Sequence, residues 1–152
     1  MLQDKIITQM QRDRFIQAVC ESGIVWGLQS EEGFAITGSN DYEDESGEPL
    51  PLICFWSGKA LAKACAKEEW SGYEPVEILL SEFIETWCIG MANDNMMVGP
   101  DFDPNMHGIE IDPLELIVEL AKELKAQEKT LVLQNYAHLN DLVTEVEKIL
   151  NE

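Results

Sequence analysis

The run LPLICFW, residues 50–56, is apolar at every position, so a strand made from it has no face to turn toward water. A strand that alternates can lie on a surface, but one that does not must be covered on both sides. Pro51 sits near its start, where the missing N–H costs no ladder bond. The segment therefore predicts an interior strand, and the rest of the chain has to cover it.

The flanking pattern predicts the elements that do so. A helix is expected from about Thr8 to Glu21, with Thr8 and Gln11 at capping-box spacing, Phe15 and Val19 on one face, and Gly23 as its stop. IVWGLQ (24–29) alternates, with Ile24, Trp26 and Leu28 on one side, and pairs as a hairpin with FAIT (34–37) across SEEG. Ser39 to Pro49 reads as a solvated loop. Ser57 is expected to cap a short helix whose inner side holds Leu61, Ala64 and Cys65. VEILL (76–80) reads as a strand, and Ser81 starts a helix striped by Phe83, Ile84, Trp87, Cys88 and Met91.

MMVG (96–99) and IEI (109–111) are short strand candidates. Asp112 as N-cap, Pro113 at N1 and Glu115 at N3 mark the clearest helix start, followed by Leu116, Ile117, Leu120 and Leu124. TLVLQN (130–135) fits a strand or a continuing helix equally. Leu139, Leu142, Val143, Val146, Ile149 and Leu150 then mark a final amphipathic helix. The expected fold is α+β, a single domain in which a small, mostly antiparallel sheet packs against several helices.

Charge narrows the function. Ten basic residues against 29 acidic ones give −19. Such a field repels nucleic acid and anionic lipid and attracts basic proteins. The longest apolar run is far short of the roughly 20 residues that cross a bilayer. MLQDKIITQMQRDRF lacks a secretory pattern, and Cys20, Cys54, Cys65 and Cys88 sit in apolar surroundings. They read as reduced, buried thiols of a soluble cytoplasmic protein.

No motif carries a chemistry. FWSGKA (55–60) lacks the first glycine and the Ser or Thr of a phosphate loop. DFDPNMHGIEID (101–112) imitates a calcium loop with Asp101, Asp103, Asn105 and Asp112 at positions 1, 3, 5 and 12. Met106 replaces the turn glycine and Pro104 stiffens it, which leaves at most a weak cation site at Asp101, Asp103 and Asn105. The cysteine and histidine spacings suit neither zinc nor a local catalytic pair, so no cofactor and no catalytic residue are predicted. Trp26, Trp56 and Trp87 fall on apolar faces and read as core. Trp70 and Tyr73 lie in the connection WSGYEP and are candidate binding residues. So are the carboxylates Asp41, Glu43, Asp44, Glu45 and Glu48.

V-W-G-L (25–28), P-L with an aromatic pair (51–56), A-x-A-C-A (62–66), E-W-S-G-Y-E-P (69–75), E-F-I-E-T-W (82–87), V-G-P (98–100) and G-I-E-I-D-P-L-E-L (108–116) occur in this order. In this the chain resembles an uncharacterised bacterial family of small acidic proteins, classed as a domain of unknown function. The resemblance spans residues 12–125, with 126–152 an extension, all-helical or mixed, that carries the final helix. It implies a bacterial, single-domain protein and brings no activity.

Three functions follow as expectations. The first is a noncatalytic interaction module, of inhibitory, immunity or regulatory type, that meets a basic partner. The second is a small enzyme or ligand binder with a cleft near Trp70, Tyr73 and the 100–108 loop. The third is a structural subunit forming a homodimer through the C-terminal helix.

Overall fold

In the computed structural model, which describes residues 2–152, the apolar run forms the interior strand β4 (Pro49–Phe55). It lies between β3 (Ile36–Glu43), antiparallel, and β6 (Met97–Pro100), parallel. Because side chains alternate along a strand, β4 feeds two cores. Ile53 and Phe55 enter the larger one, and Leu52, Cys54 and Trp56 enter the smaller. Pro51 pairs with Gly38 at the end of the strand that β6 does not reach.

The fold is α+β, but its strands divide into two three-stranded sheets where one was expected. The second has β1 (Ile24–Ser30) between β2 (Gly33–Phe34) and β5 (Glu74–Leu79), all antiparallel. Trp26 and Trp56 join the sheets by exchanging backbone hydrogen bonds, Trp26 N to Trp56 O at 2.8 Å and Trp56 N to Trp26 O at 2.7 Å. Since β1 lies between the cores, both its faces are covered: Val25 packs in the larger and Leu28 in the smaller. The alternation Ile24, Trp26, Leu28 revealed only one of these faces.

Residues 39–49 are not a loop. The chain leaves the short hairpin at Ala35 and continues as β3 to Glu43, so only a tight turn separates it from β4. Long-range pairing with β4 and a buried carboxylate, described below, override the local charge repulsion that suggests a loop.

Helix α1 (Leu2–Ser22) begins two turns before Thr8. Nothing from Leu2 onward breaks a helix, and the Thr8 hydroxyl donates to Asp4 O (3.0 Å) inside it. The helix ends as expected at Gly23, which takes the left-handed conformation at φ +76°. Helix α2 (Lys59–Ala64) is preceded by Gly58 at its N-cap, because Ser57 is engaged by Asp101; Ala62 and Cys65 face inward and Ala64 does not. Leu79 stands at the N-cap of α3 (Leu80–Glu82), so that helix starts one residue before Ser81. It runs through a π turn, Phe83–Cys88, into α4 (Ile89–Asn93). The wide turn places Phe83 and Cys88, five residues apart, in one core. Trp87 is half-buried, edge-on to Phe34 (4.5 Å) and Phe55 (5.7 Å).

The segment 109–111 contributes only a bridge between Ile111 and Val98. Asp112 caps α5 (Pro113–Ala126) by accepting from Leu114 N at 2.8 Å and Glu115 N at 3.2 Å. Residues 130–135 are neither strand nor helix. Their backbone is held elsewhere, since the Glu85 carboxylate accepts from Gln134 N (2.8 Å) and Asn135 N (2.7 Å). α6 (Leu139–Leu150) packs on α5 through Leu142, Val143 and Val146, while Ile149 and Leu150 stay exposed.

Trp70 occupies a 3₁₀ turn, Glu68–Trp70, and is only 5% exposed. Its ring meets Trp56 edge-on at 6.4 Å, and the Trp56 indole N–H donates to Phe102 O at 3.0 Å. Either Trp56→Ala or Trp70→Ala is expected to cost about 3–5 kcal/mol in urea denaturation. A double-mutant cycle should show coupling of about 0.5–1.5 kcal/mol between the rings. A loss well under 1 kcal/mol at Trp70 would show that its site collapses without it.

Candidate functional site

The N-terminal half of α1, the irregular middle of β3 and the loop after β6 enclose a cleft of about 460 Å³. Asp4, Ile7, Thr8 and Gln11 line it from the helix, Asn40 and Asp41 from the strand, and Asp103, His107 and Glu110 from the loop. The strand reaches this position because Glu110, 8% exposed, binds it: one carboxylate oxygen accepts from the Ser39 hydroxyl and the other from Asn40 N at 2.8 Å. The register of β3 against β4 shifts between Gly38 and Glu43, around this contact.

The loop has its own frame. Asp101 is 1% exposed and takes a left-handed backbone at φ +49°. Its carboxylate accepts from Arg14 Nε (2.8 Å), Ser57 N (2.7 Å) and the Ser57 hydroxyl (2.7 Å), which ties the loop to α1 and to the end of β4. Breaking a charge group buried this way leaves partners unpaired, so the loop is anchored firmly at one end. Asp103 closes the next turn by accepting from Asn105 N (2.9 Å) and His107 N (3.0 Å). Met106 supplies at φ +63° the left-handed turn that a calcium loop gives to glycine.

Asp101 thus anchors the loop and Asp103 closes its turn. Among the described residues no three His, Cys, Asp or Glu side chains approach closely enough to share a metal ion. The cleft nonetheless carries four carboxylates, from Asp4, Asp41, Asp103 and Glu110, and His107 is its only lining residue that can be cationic. Gln11 adds a second signal. It is 9% exposed, and its Oε1 has no hydrogen-bond partner among the described residues. A buried orphan acceptor costs stability, and here it stands beside unbalanced negative charge. Donors on a larger cation, an ammonium or a guanidinium, match this wall.

Of the residues singled out in the sequence, Asp41 and Asp103 meet in this cleft although 62 positions separate them (103 − 41). Glu43, Asp44 and Glu45 lie beyond it at the β3–β4 turn. Asp44 builds that turn by accepting from Ser46 N, the Ser46 hydroxyl and Glu48 N. The Ser46 hydroxyl, ahead of the two backbone contacts, holds its carboxyl below the usual range. Trp70 is core, and Tyr73 lies half-buried at the opposite hairpin beside Glu31 and Glu32. Neither lines the cleft. Asp4 and Glu110 were not singled out, and Gln11 was read only as part of a helix cap at Thr8. Gln11 had a signal, because it occupies the position one turn before Phe15 on the apolar stripe. Glu110 had none beyond standing between two isoleucines.

All four thiols are free and buried. Burial is the first cause in each case: it lifts Cys65 from 9.0 to about 11, Cys20 to about 12, and Cys54 and Cys88 further still. Burial therefore keeps Cys54 and Cys65 as protonated thiols.

A family model described as "Protein of unknown function (DUF2750)" matches residues 12–120. Searches of the curated proteins and of the solved structures find no match.

The thiols also set an alkaline limit. The unfolded chain ionises its cysteines near 9.0, while the folded protein delays Cys65 to about 11 and Cys20 to about 12. Above that first value the unfolded state binds fewer protons than the native one, so stability falls as pH rises. The contribution is complete below pH 9.0 and is lost through the range ending at about 12. The urea midpoint should decline over this window, and Cys20→Ala with Cys65→Ala should flatten the decline. An unchanged slope in the double variant would assign the effect to other groups.

Proposed function

The chain belongs to the DUF2750 family of proteins of unknown function, and from that premise we propose that it is a noncatalytic interaction module for a basic, amphipathic segment of a partner protein. One observation carries the reading: the acidic cleft borders an apolar stripe that α1 leaves uncovered. Leu2, Ile6, Ile7 and Met10 are 75%, 51%, 53% and 63% exposed, on successive turns of one helix, and Ile7 also lines the cleft. An apolar centre beside a charged, hydrogen-bonding rim is the anatomy of a protein interface. Asp4, Asp41 and Asp103, with Glu110 buried behind them and one histidine among them, select for lysine or arginine at that rim.

The remaining acids support the same partner chemistry. Glu43, Glu45 and Glu48 project from the β3–β4 turn and extend the negative field that steers a basic protein toward the cleft. A net charge of −19 opposes a nucleic-acid partner. Among the described residues no helix is long and apolar enough to cross a membrane. Four free, buried thiols suit the reducing conditions of a cytoplasm.

The test uses a partner captured from extract and then purified. Asp4→Asn, Asp41→Asn and Asp103→Asn together should slow association and flatten its salt dependence, because steering charges act on the on-rate. Ile6→Ser with Met10→Ser should instead speed dissociation, because apolar contacts at the centre set residence time. Unaltered kinetics in both variants would overturn the proposal.

A further inference from the structure

The C-terminal half of α5, the N-terminal half of α6 and residues of the 129–138 connection line a groove of about 480 Å³. Its floor is apolar, built from Val118, Ala121, Leu131, Leu139 and Val143. Its rim is basic. Lys122, Lys125, Lys129 and His138 line it, against a single carboxylate, Glu147. On a chain with only ten lysines and arginines, three of them meet at this one groove.

The three lysines are not equivalent. Lys129 Nζ donates to the carbonyls of Glu21 (2.5 Å) and Cys20 (3.4 Å), which closes the C-terminal end of α1. Lys122 and Lys125 are exposed and, like every other lysine, take part in none of the ion pairs among the described residues. Lysine stems can cover apolar surface without any ligand. Here the cations cluster: three lysines and a histidine face one carboxylate on a chain of net charge −19, so the groove carries the opposite sign to the chain as a whole and suits an anionic head.

We propose that this groove binds a free long-chain carboxylate, with the alkyl chain on the floor between α5 and α6 and the carboxylate against Lys122 and Lys125. The volume falls within the range of small-ligand pockets, about 300–1,000 Å³, and an apolar lining with a few polar groups is their usual composition. A helical peptide would need a trough several turns long with anchors spaced along it. α6 lies outside the residues matched by the family model, so one wall of the groove comes from this chain's C-terminal extension and the other from α5. The inference stands apart from the proposed docking face, which is built from α1, β3 and the 101–110 loop.

The experiment titrates the full chain with dansyl-labelled undecanoic acid and follows the blue shift of the probe. Palmitate should displace it at micromolar concentration, and palmitamide, equal in length but uncharged, should be about tenfold weaker, the size of two exposed charge contacts. Lys122→Gln with Lys125→Gln should remove that difference and leave palmitamide affinity as it was. Ala121→Trp, which fills the floor, should weaken both ligands while circular dichroism and the melting temperature report an intact fold. The proposal fails if no probe binds up to about 100 μM. It fails equally if acid and amide compete alike, or if the probe signal arises only when anionic vesicles are present.

Discussion

The structure depends on β4 having no polar face. One strand buried on both sides divides the interior, with Ile53 and Phe55 going one way and Leu52, Cys54 and Trp56 the other. The larger core needs α1, the helix around the π turn, α5 and α6 to cover it. The smaller needs α2 and the Trp70 turn. A charged side chain anywhere from Leu52 to Trp56 would meet a buried surface whichever way it pointed. The two-tryptophan bridge to β1 extends the partition into the second sheet, so both sheets share one boundary.

Charge is arranged around that partition in two ways. A few carboxylates are buried and fully engaged, as Asp101 is with Arg14 and Ser57 and Glu110 is with β3. These fix the approach of segments distant in sequence and give the loop after β6 its shape. Most of the others remain in water, where mutual repulsion is tolerated. Of the basic residues, Arg12 and Arg14 pair with acids, and Lys129 closes a helix end. The other lysines, Lys122 and Lys125 among them, join no ion pair among the described residues.

What the sequence made legible was set locally. The Asp112–Pro113 start of α5 and the stop at Gly23 follow from two or three neighbouring residues, and both appear where expected. β3 was hidden because its pairing with β4 outweighs five nearby acids that individually favour a loop. The division into two sheets was hidden because Val25 and Leu28 face different cores, which alternation alone does not separate. The cleft was half legible. Asp41 and Asp103 stood out by composition and spacing, but nothing local joins them. The contacts that do, Ser39 with Glu110 and Arg14 with Asp101, span 71 and 87 positions. Trp70 shows the reverse difficulty, since its loop-like neighbours concealed a residue that belongs to the core.

The π turn at Phe83–Cys88 has a consequence for changes of chain length. A π turn holds more residues per turn than an α turn. The helix between β5 and β6 therefore carries a surplus residue, and deleting exposed Thr86 would let it relax to regular α geometry with both flanking strands in place. The same deletion in α5 would rotate every later side chain by about 100° and turn Leu120 and Leu124 out of the core. Tolerance of a one-residue gap should thus be confined to this one helix, and a folded Thr86 deletion with unchanged stability is its signature.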